Sequence, residues 1–519
     1  MRRRPLLIAA VAVVVLGGGG LLVAPAVAGQ PASLQGLTRS VLNAQTLATT
    51  AVSVDPAGRP GRLLLDGRQV VSSTGRRITE SLAGLPDGRH LVTAEVDRGF
   101  PLGVSRVTRT VVVDTVPPVL TVTPAPPADI RQAVTVSGRV TGALDMTGPD
   151  GKPLRLGPDG AFSVSFPTPP VAAVLTARDA AGNTATAVLD VPVRHPTMRG
   201  VHMTALAWTA PVLRDPILQL AREGKINTIE LDIKDEDGFV GFASENALAR
   251  QTGAVKGYYD AAKVLAQLHA MHLRVVGRLV AFRDPTLAPW AFAHEHKDWV
   301  IQAPDGSPYR SAYGGFTNFA SPEVRQYNID LATEAAKLGF DDILYDYCRR
   351  PDGAIATMRF PGLVGPPEAA IAGFMRDTRT ALRPLGAYVG ASVFGIAADR
   401  PHEVAQDVPE MGKYLDFVSP MVYPSHWAKG EYGVADPNRQ PAAIVGRSLQ
   451  LFLKDLVGSS ARVAPWLQDF SLGGVAYGPG EVRAQIDAAR QDGIDSFLLW
   501  NAGARYQGTA LDGLPAPKA

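Results

Sequence analysis

Glu230, Asp232 and Lys234 alternate with Ile229, Leu231 and Ile233 in one short stretch of the chain, and Asp346 stands in a second, Ile343-Leu344-Tyr345-Asp346-Tyr347-Cys348. Successive side chains of a strand point to opposite faces, so the first stretch presents all three of its charges on one face. In the second, Ile343, Tyr345 and Tyr347 share a face, and Leu344, Asp346 and Cys348 share the other. A carboxylate in so apolar a run costs free energy unless it is paired or used. The structural alternatives are plain: Asp232 and Lys234 neutralising each other, and Asp346 capping a loop. Two carboxylates that flank one bond have a further use. One donates a proton and the other attacks or stabilises a cationic carbon, which is the chemistry of glycoside hydrolysis.

Elements that could bring these residues together follow Met198. Strand-like runs at 199–204, 227–234, 273–282, 341–349, 388–395, 415–424, 462–470 and 496–503 alternate with stretches of helical period. Asp260 precedes a helical face of Val264, Leu265, Leu268 and Met271, and Ser321-Pro322-Glu323 reads as a helix start. Eight βα units predict a (β/α)8 TIM barrel over residues 196–510, with its working groups at the C-terminal ends of the strands. Strand parity then points His202, Glu230, Asp232, Lys234, Arg278, Tyr423, Trp466 and Gln468 inward, with Trp500-Asn501 ending the last strand. Asp232 and Asp346 come from even-numbered strands, which fill the same layers of a barrel and can face one cleft. The Trp and Tyr side chains suit sugar faces, although aromatics at such positions are also ordinary core. The irregular stretch 283–319 is expected to fold over the barrel mouth.

The rest of the chain bounds the setting. With 519 residues, two to four domains are expected. Short β-branched runs between Asx-Gly turns predict two all-β sandwiches over 48–115 and 116–195, and 29–47 reads as a linker. Asp114-Thr115-Val116-Pro117-Pro118 and Asp179-Ala180-Ala181-Gly182-Asn183 resemble the junctions and turns of bacterial immunoglobulin-like modules, which implies spacers. Arg2-Arg3-Arg4, the apolar run 6–23 and Ala26-Val27-Ala28 form a leader pattern over 1–28, a signal peptide or an uncleaved membrane anchor. The expected location is therefore secreted, or the outer face of the cell membrane. A net charge of +2 without a basic stripe argues against a nucleic-acid partner. One cysteine, Cys348, rules out a disulfide framework and a Cys-based metal site. Asp232-Ile233-Lys234-Asp235-Glu236-Asp237-Gly238 echoes a calcium loop, but Ile233 and Ser244 stand where ligands are needed. His294-Glu295-His296 lacks the spacing of a helical zinc site. No cofactor and no metal are expected.

The phrases Arg199-Gly200-Val201-His202, 227–235, Leu344-Tyr345-Asp346-Tyr347, 419–427 and Leu499-Trp500-Asn501-Ala502 together resemble a bacterial family of glycoside-hydrolase-type domains that fold as TIM barrels. Tyr345-Asp346-Tyr347-Cys348 is also similar to the α-galactosidase pattern, which implies that Asp346 is the nucleophile of a retaining mechanism. The sixth strand here, Pro420-Met421-Val422-Tyr423, ends without an acid. Asp232 is therefore the first choice for the second carboxylate, and Asp469 the second. The reading is a glycoside hydrolase acting on a polysaccharide, with His202, Glu230, Lys234, Arg278, Tyr423, Trp466, Gln468, Trp500 and Asn501 positioning the sugar. Its rivals are a non-catalytic polysaccharide- or cell-wall-binding barrel, and a metal-dependent hydrolase using His202, Asp232 and Asp346.

Overall fold

A computed structural model describes residues 31–312 and 314–515. The leader pattern at 1–28 lies outside them. Among the described residues no helix is long and apolar enough to cross a membrane.

The chain divides into two compact units. The first takes the residues up to Thr123 together with Ser137–Val164 and Val174–Val188. It is sheet-rich, as its alternating runs predict. Val41–Leu42, Val104–Val113, Gly88–Asp97, Pro60–Leu65 and Arg68–Thr74 form a five-stranded sheet in that order, and Ala51–Val54 pairs with Ile78–Ser81. Val52, Val54, Leu63, Val92 and Val111 are buried together between them. Two three-stranded sheets follow, one of Asp145–Thr147, Ala173–Arg178 and Thr184–Leu189, the other of Ala161–Phe166, Val134–Thr141 and Val119–Val122.

The second unit holds a closed barrel of eight parallel strands: β1 (Arg199–Met203), β2 (Thr228–Lys234), β3 (Arg274–Val280), β4 (Asp342–Asp346), β5 (Tyr388–Phe394), β6 (Phe417–Met421), β7 (Arg462–Val463 and Trp466–Gln468) and β8 (Phe497–Trp500). Closure comes from β1, which pairs with both β8 and β2. Each strand falls within one of the eight runs read from the sequence. The outer helices are α1 (Pro211–Arg222), α2 (Ala261–Ala270), α3 (Pro322–Leu338), α4 (Pro367–Leu382), α5 (Pro441–Asp455) and α6 (Pro479–Gln491). Their starts follow the local signals. Asp260 and Ser321 accept the N–H groups of Lys263 and Val324 as N-caps, and Gly339, at φ 116°, ends α3 in the left-handed region. The barrel unit also takes in Pro124–Val136, Ser165–Ala173 and the residues from Leu189. Ile130 and Val193 pack on Tyr388, and Asp190 pairs with Arg379 at 2.6 Å.

Inside the barrel, apolar layers support polar ones. Met198, Val276, Leu344, Phe417, Ala464 and Leu498 pack across the axis. Gly390 has no side chain there because a Cβ would lie 2.2 Å from the Phe417 ring. At the N-terminal end Asp342 accepts from His195 at 2.8 Å and from Arg274, so the charge buried there is matched. Toward the C-terminal end the inward side chains become ionisable. The insertion after β3 supplies a helix, Leu287–Ala293, and rests beside the end of β4, with the Phe316 and Tyr347 rings 6.4 Å apart and inclined at 62°.

One inward assignment does not hold. Asp232 pairs with Arg278, but Lys234 pairs with Leu279, so a bulge at Ile233 shifts the register of β2 by one residue. Lys234 is thereby turned outward. Its Nζ donates to Asp284 at 2.8 Å, Asn328 at 3.0 Å and the carbonyl of Ala281 at 3.3 Å, over the Tyr327 ring. It ties β2 to α3 and to the β3 insertion and has no part in the cleft.

Candidate active site

Arg278, carried by β3 and only 1% exposed, is the hub of the polar layer. Its Nη1 donates to Asp232 Oδ1 at 2.9 Å. Its Nε and Nη2 donate to Asp346 Oδ2 at 3.0 and 2.7 Å, and Nη2 also donates to Glu236 Oε1. Glu230 Oε1 lies 3.8 Å from Nε. The guanidinium sits 5.0 Å from the centre of the Trp500 ring. The planar fork of an arginine suits such a cluster, since its five N–H groups can meet several carboxylates at once. Burial works against the charge, but the surrounding carboxylates outweigh it and hold Arg278 protonated.

Each acid has a different environment. Asp346, at the end of β4, accepts the N–H of Tyr347 on Oδ1 at 2.7 Å while Oδ2 faces Arg278. Tyr347 holds φ at 48°, a left-handed conformation that costs a bulky residue about 1–3 kcal/mol. That turn directs Asp346 into the cleft. Glu236 follows the bulged end of β2, and its side chain is 30% exposed. Burial pushes its proton affinity up, but the charge and hydrogen bond of Arg278 prevail and hold it down at about 2. Asp232 is 1% exposed, its Oδ2 has no hydrogen-bond partner, and burial pushes it up to about 7 against the pull of His202 and Arg278. Glu230 is wholly buried, which raises it well above the usual carboxylate range.

His202 completes the inner group. Its Nδ1 meets Glu230 Oε2, and its Nε2 lies 3.9 Å from Asp232 Oδ2. It stacks on Trp500 at 4.2 Å, and burial lowers its pKa to about 4, which leaves it neutral at pH 7. His202, Glu230 and Asp232 each offer one ligand atom within 4.8 Å of the others, so they are the group among the described residues that could hold a metal. The guanidinium bonded to Asp232 already supplies that cluster with a positive charge.

Above this layer opens a cleft of about 400 Å³, bordered by Glu236, Arg278, Asp346, Tyr423, Trp466 and Trp500 among others. Trp466 donates to Ser392 Oγ at 2.9 Å and stands perpendicular to Trp500 at 5.5 Å. The barrel thus gathers His202, Glu230, Asp232, Arg278, Asp346, Tyr423, Trp466 and Trp500, all expected inside. It does not gather four others. Lys234 is turned out by the bulge. Gln468 is spent on Ser425, accepting its N–H at 3.0 Å and its hydroxyl at 2.8 Å. Asn501 accepts the Gly503 N–H at 2.8 Å and donates to the Asp469 carbonyl, closing the loop after β8. Asp469 does not border the cleft; its Oδ2 accepts the Gln507 N–H at 2.8 Å. Glu236 is the residue that strand parity passed over. Its signal was its place, since it stands in the loop just past the C-terminal end of a barrel strand.

Asp469 provides a test of this sorting. Burial raises it to about 6 against the Gln507 N–H, and Oδ1 has no partner, so its ionised form is only partly compensated. A carboxyl whose folded pKa is raised stabilises below its unfolded pKa, and that contribution is lost as pH rises through the folded value. Asp469→Asn should therefore be near neutral at pH 4 and stabilise the protein above pH 6, by up to about 3 kcal/mol, in thermal unfolding at several pH values. Equal destabilisation at every pH would contradict this placement.

No curated protein matches the chain significantly. Among solved structures, a hypothetical protein from Ruminiclostridium thermocellum is 29% identical over 37% of this chain and 96% of its own, with a TM-score of 0.33. The glycoside hydrolase domain of PgaB (BpsB) from Bordetella bronchiseptica is 17% identical over 60% of this chain and 95% of its own, with a TM-score of 0.45. An α-galactosidase from Thermus thermophilus is 15% identical over 80% and 86%, with a TM-score of 0.37. Residues 200–506, which span β1 to the loop after β8, match the model of the family described as "Putative glycosyl hydrolase domain". The chain belongs to this glycosyl hydrolase domain family.

Proposed function

We propose that the barrel is a retaining glycoside hydrolase acting on a polysaccharide, with Asp346 and Glu236 as its working pair. One observation carries this reading: both carboxylates accept hydrogen bonds from the same nitrogen, Arg278 Nη2, at the floor of an aromatic cleft. Two oxygens bonded to one nitrogen lie no more than about 6 Å apart. That favours the spacing of about 5–5.5 Å used for direct attack over the roughly 6.5–9.5 Å that leaves room for a water.

In the first step Asp346 Oδ2 bonds to the anomeric carbon as the glycosidic C–O bond breaks, and Glu236 gives its proton to the leaving oxygen. In the second, Glu236 takes a proton from water, whose oxygen bonds to the anomeric carbon and releases Asp346. Glu236 is preferred to Asp232 as donor because reach comes before pKa, and Asp232 lies below the guanidinium while Glu236 borders the cleft. Arg278 keeps the proton affinity of Glu236 low, so Glu236 acts as an acid only after a bound sugar draws it off the guanidinium and it takes up a proton from solvent. Asp232 holds the guanidinium from the buried side, and His202 lies against Asp232 and Glu230. The rival reading, a barrel that only binds polysaccharide, needs no such pair of adjacent carboxylates. The sheet-rich unit is proposed as an immunoglobulin-like spacer, and the leader pattern supports a location outside the cytoplasm as part of the same proposal.

Hydrolysis of a polysaccharide panel, with the product anomer followed by proton NMR, tests this. Wild-type protein, recovered from the medium or cell surface, should release a sugar of retained configuration. Asp346→Asn should abolish turnover with the fold intact, and Glu236→Gln should lower it by about 10²–10⁴-fold. Normal turnover in Asp346→Asn, or an inverted product, would overturn the assignment.

A further inference from the structure

The wall of the cleft formed by the end of β5 and the loop after β6 differs in kind from the acidic floor. Gly395 follows β5, and a Cβ added to it would lie 2.5 Å from Trp427 Cζ2 and 2.8 Å from the Met421 carbonyl oxygen. Only glycine leaves the indole this seat. Trp427 borders the cleft and is half-buried, with the Tyr432 ring 5.1 Å away and tilted by 54°. Tyr432 is itself anchored, since its hydroxyl donates to Asp399 at 3.0 Å and its carbonyl accepts from Arg447. The indole is therefore a fixed platform. Its Nε1 has no hydrogen-bond partner.

The wall is also uncharged. Ile396 and Met421 border the cleft beside Trp427, and partial desolvation shifts the exposed His426 imidazole toward its neutral form. The cation on this side, Arg349, lies under the Phe394 ring at 4.1 Å and is bonded to Asp352 at 3.2 Å. Arg278 is already shared among Asp232, Glu236 and Asp346. A uronate or sulfate entering here would meet the carboxylates of Glu236 and Asp346, and among the described residues that border the cleft the guanidinium, Arg278, is already bonded to both.

We infer that Trp427, seated on Gly395, forms a stacking subsite for an uncharged sugar residue adjoining the one attacked by Asp346. The inference rests on the glycoside hydrolase reading and adds to it a binding platform and a substrate class. Full-length Asp346→Asn protein, which should bind without hydrolysing, is titrated calorimetrically with chito-, manno- and galacto-oligosaccharides and with oligogalacturonate. At least one uncharged series should bind. Adding Trp427→Ala should weaken that binding about tenfold or more, Trp427→Phe should restore most of it, and Gly395→Ala should reproduce the loss with the indole still present. Oligogalacturonate should not bind. Unchanged affinity in the Trp427→Ala protein, or binding of oligogalacturonate as tight as that of the uncharged series, overturns the inference. Failure of every series to bind would bring down the sugar-cleft reading, and this subsite with it.

Discussion

The guanidinium of Arg278 lies among four carboxyl groups, bonded to three and 3.8 Å from the fourth. Removing one such partner from a buried ion cluster leaves charges that nothing else compensates. The arrangement sorts the acids by what they can reach. Glu236 and Asp346 touch Arg278 from the cleft side, Asp232 and Glu230 from below. One cation thereby brings two carboxylates close together at the open end of the barrel, while burial raises the proton affinity of the two acids below.

This polar layer stands only because the layers beneath it are dry and packed. Gly390 makes room for Phe417, and the Asp342 ion group closes the opposite end with its charges matched. Two local departures from regular strand geometry then shape the working end. The bulge at Ile233 sends Lys234 out to Asp284 and starts the loop that carries Glu236 back over Arg278. The left-handed turn at Tyr347 sets the orientation of Asp346. Both lie at strand ends, where a barrel can absorb irregularity without losing closure.

The barrel was legible in the sequence because its eight runs change period cleanly against the helices between them, and the inner positions of His202, Glu230, Asp232 and Arg278 follow from strict alternation. Alternation fails at Lys234, since a bulge adds a residue that no local pattern announces. Gln468 and Asn501 do sit at the ends of inner strands, but their hydrogen bonds go to loop backbone that only the fold brings near. Glu236 was hidden for the opposite reason. In the sequence it is one of three successive acids in a loop, and only Arg278, 42 residues away, distinguishes it from its neighbours. Trp427 belongs to a phrase that suggested the family, but its seat depends on Gly395 at the end of the neighbouring strand.

The central claim, that one buried cation holds the acids of the cleft, is tested most directly by replacing it with an uncharged side chain of similar length. Thermal unfolding of Arg278→Met beside wild type, from pH 7 down to pH 4, separates the outcomes. Without the cation Glu236 binds a proton more readily in the folded state, so the variant should regain stability as pH falls. The account predicts a loss of about 3–5 kcal/mol at pH 7 that shrinks steadily toward pH 4. A loss of the same size at every pH would show that Arg278 serves packing alone, and would contradict it.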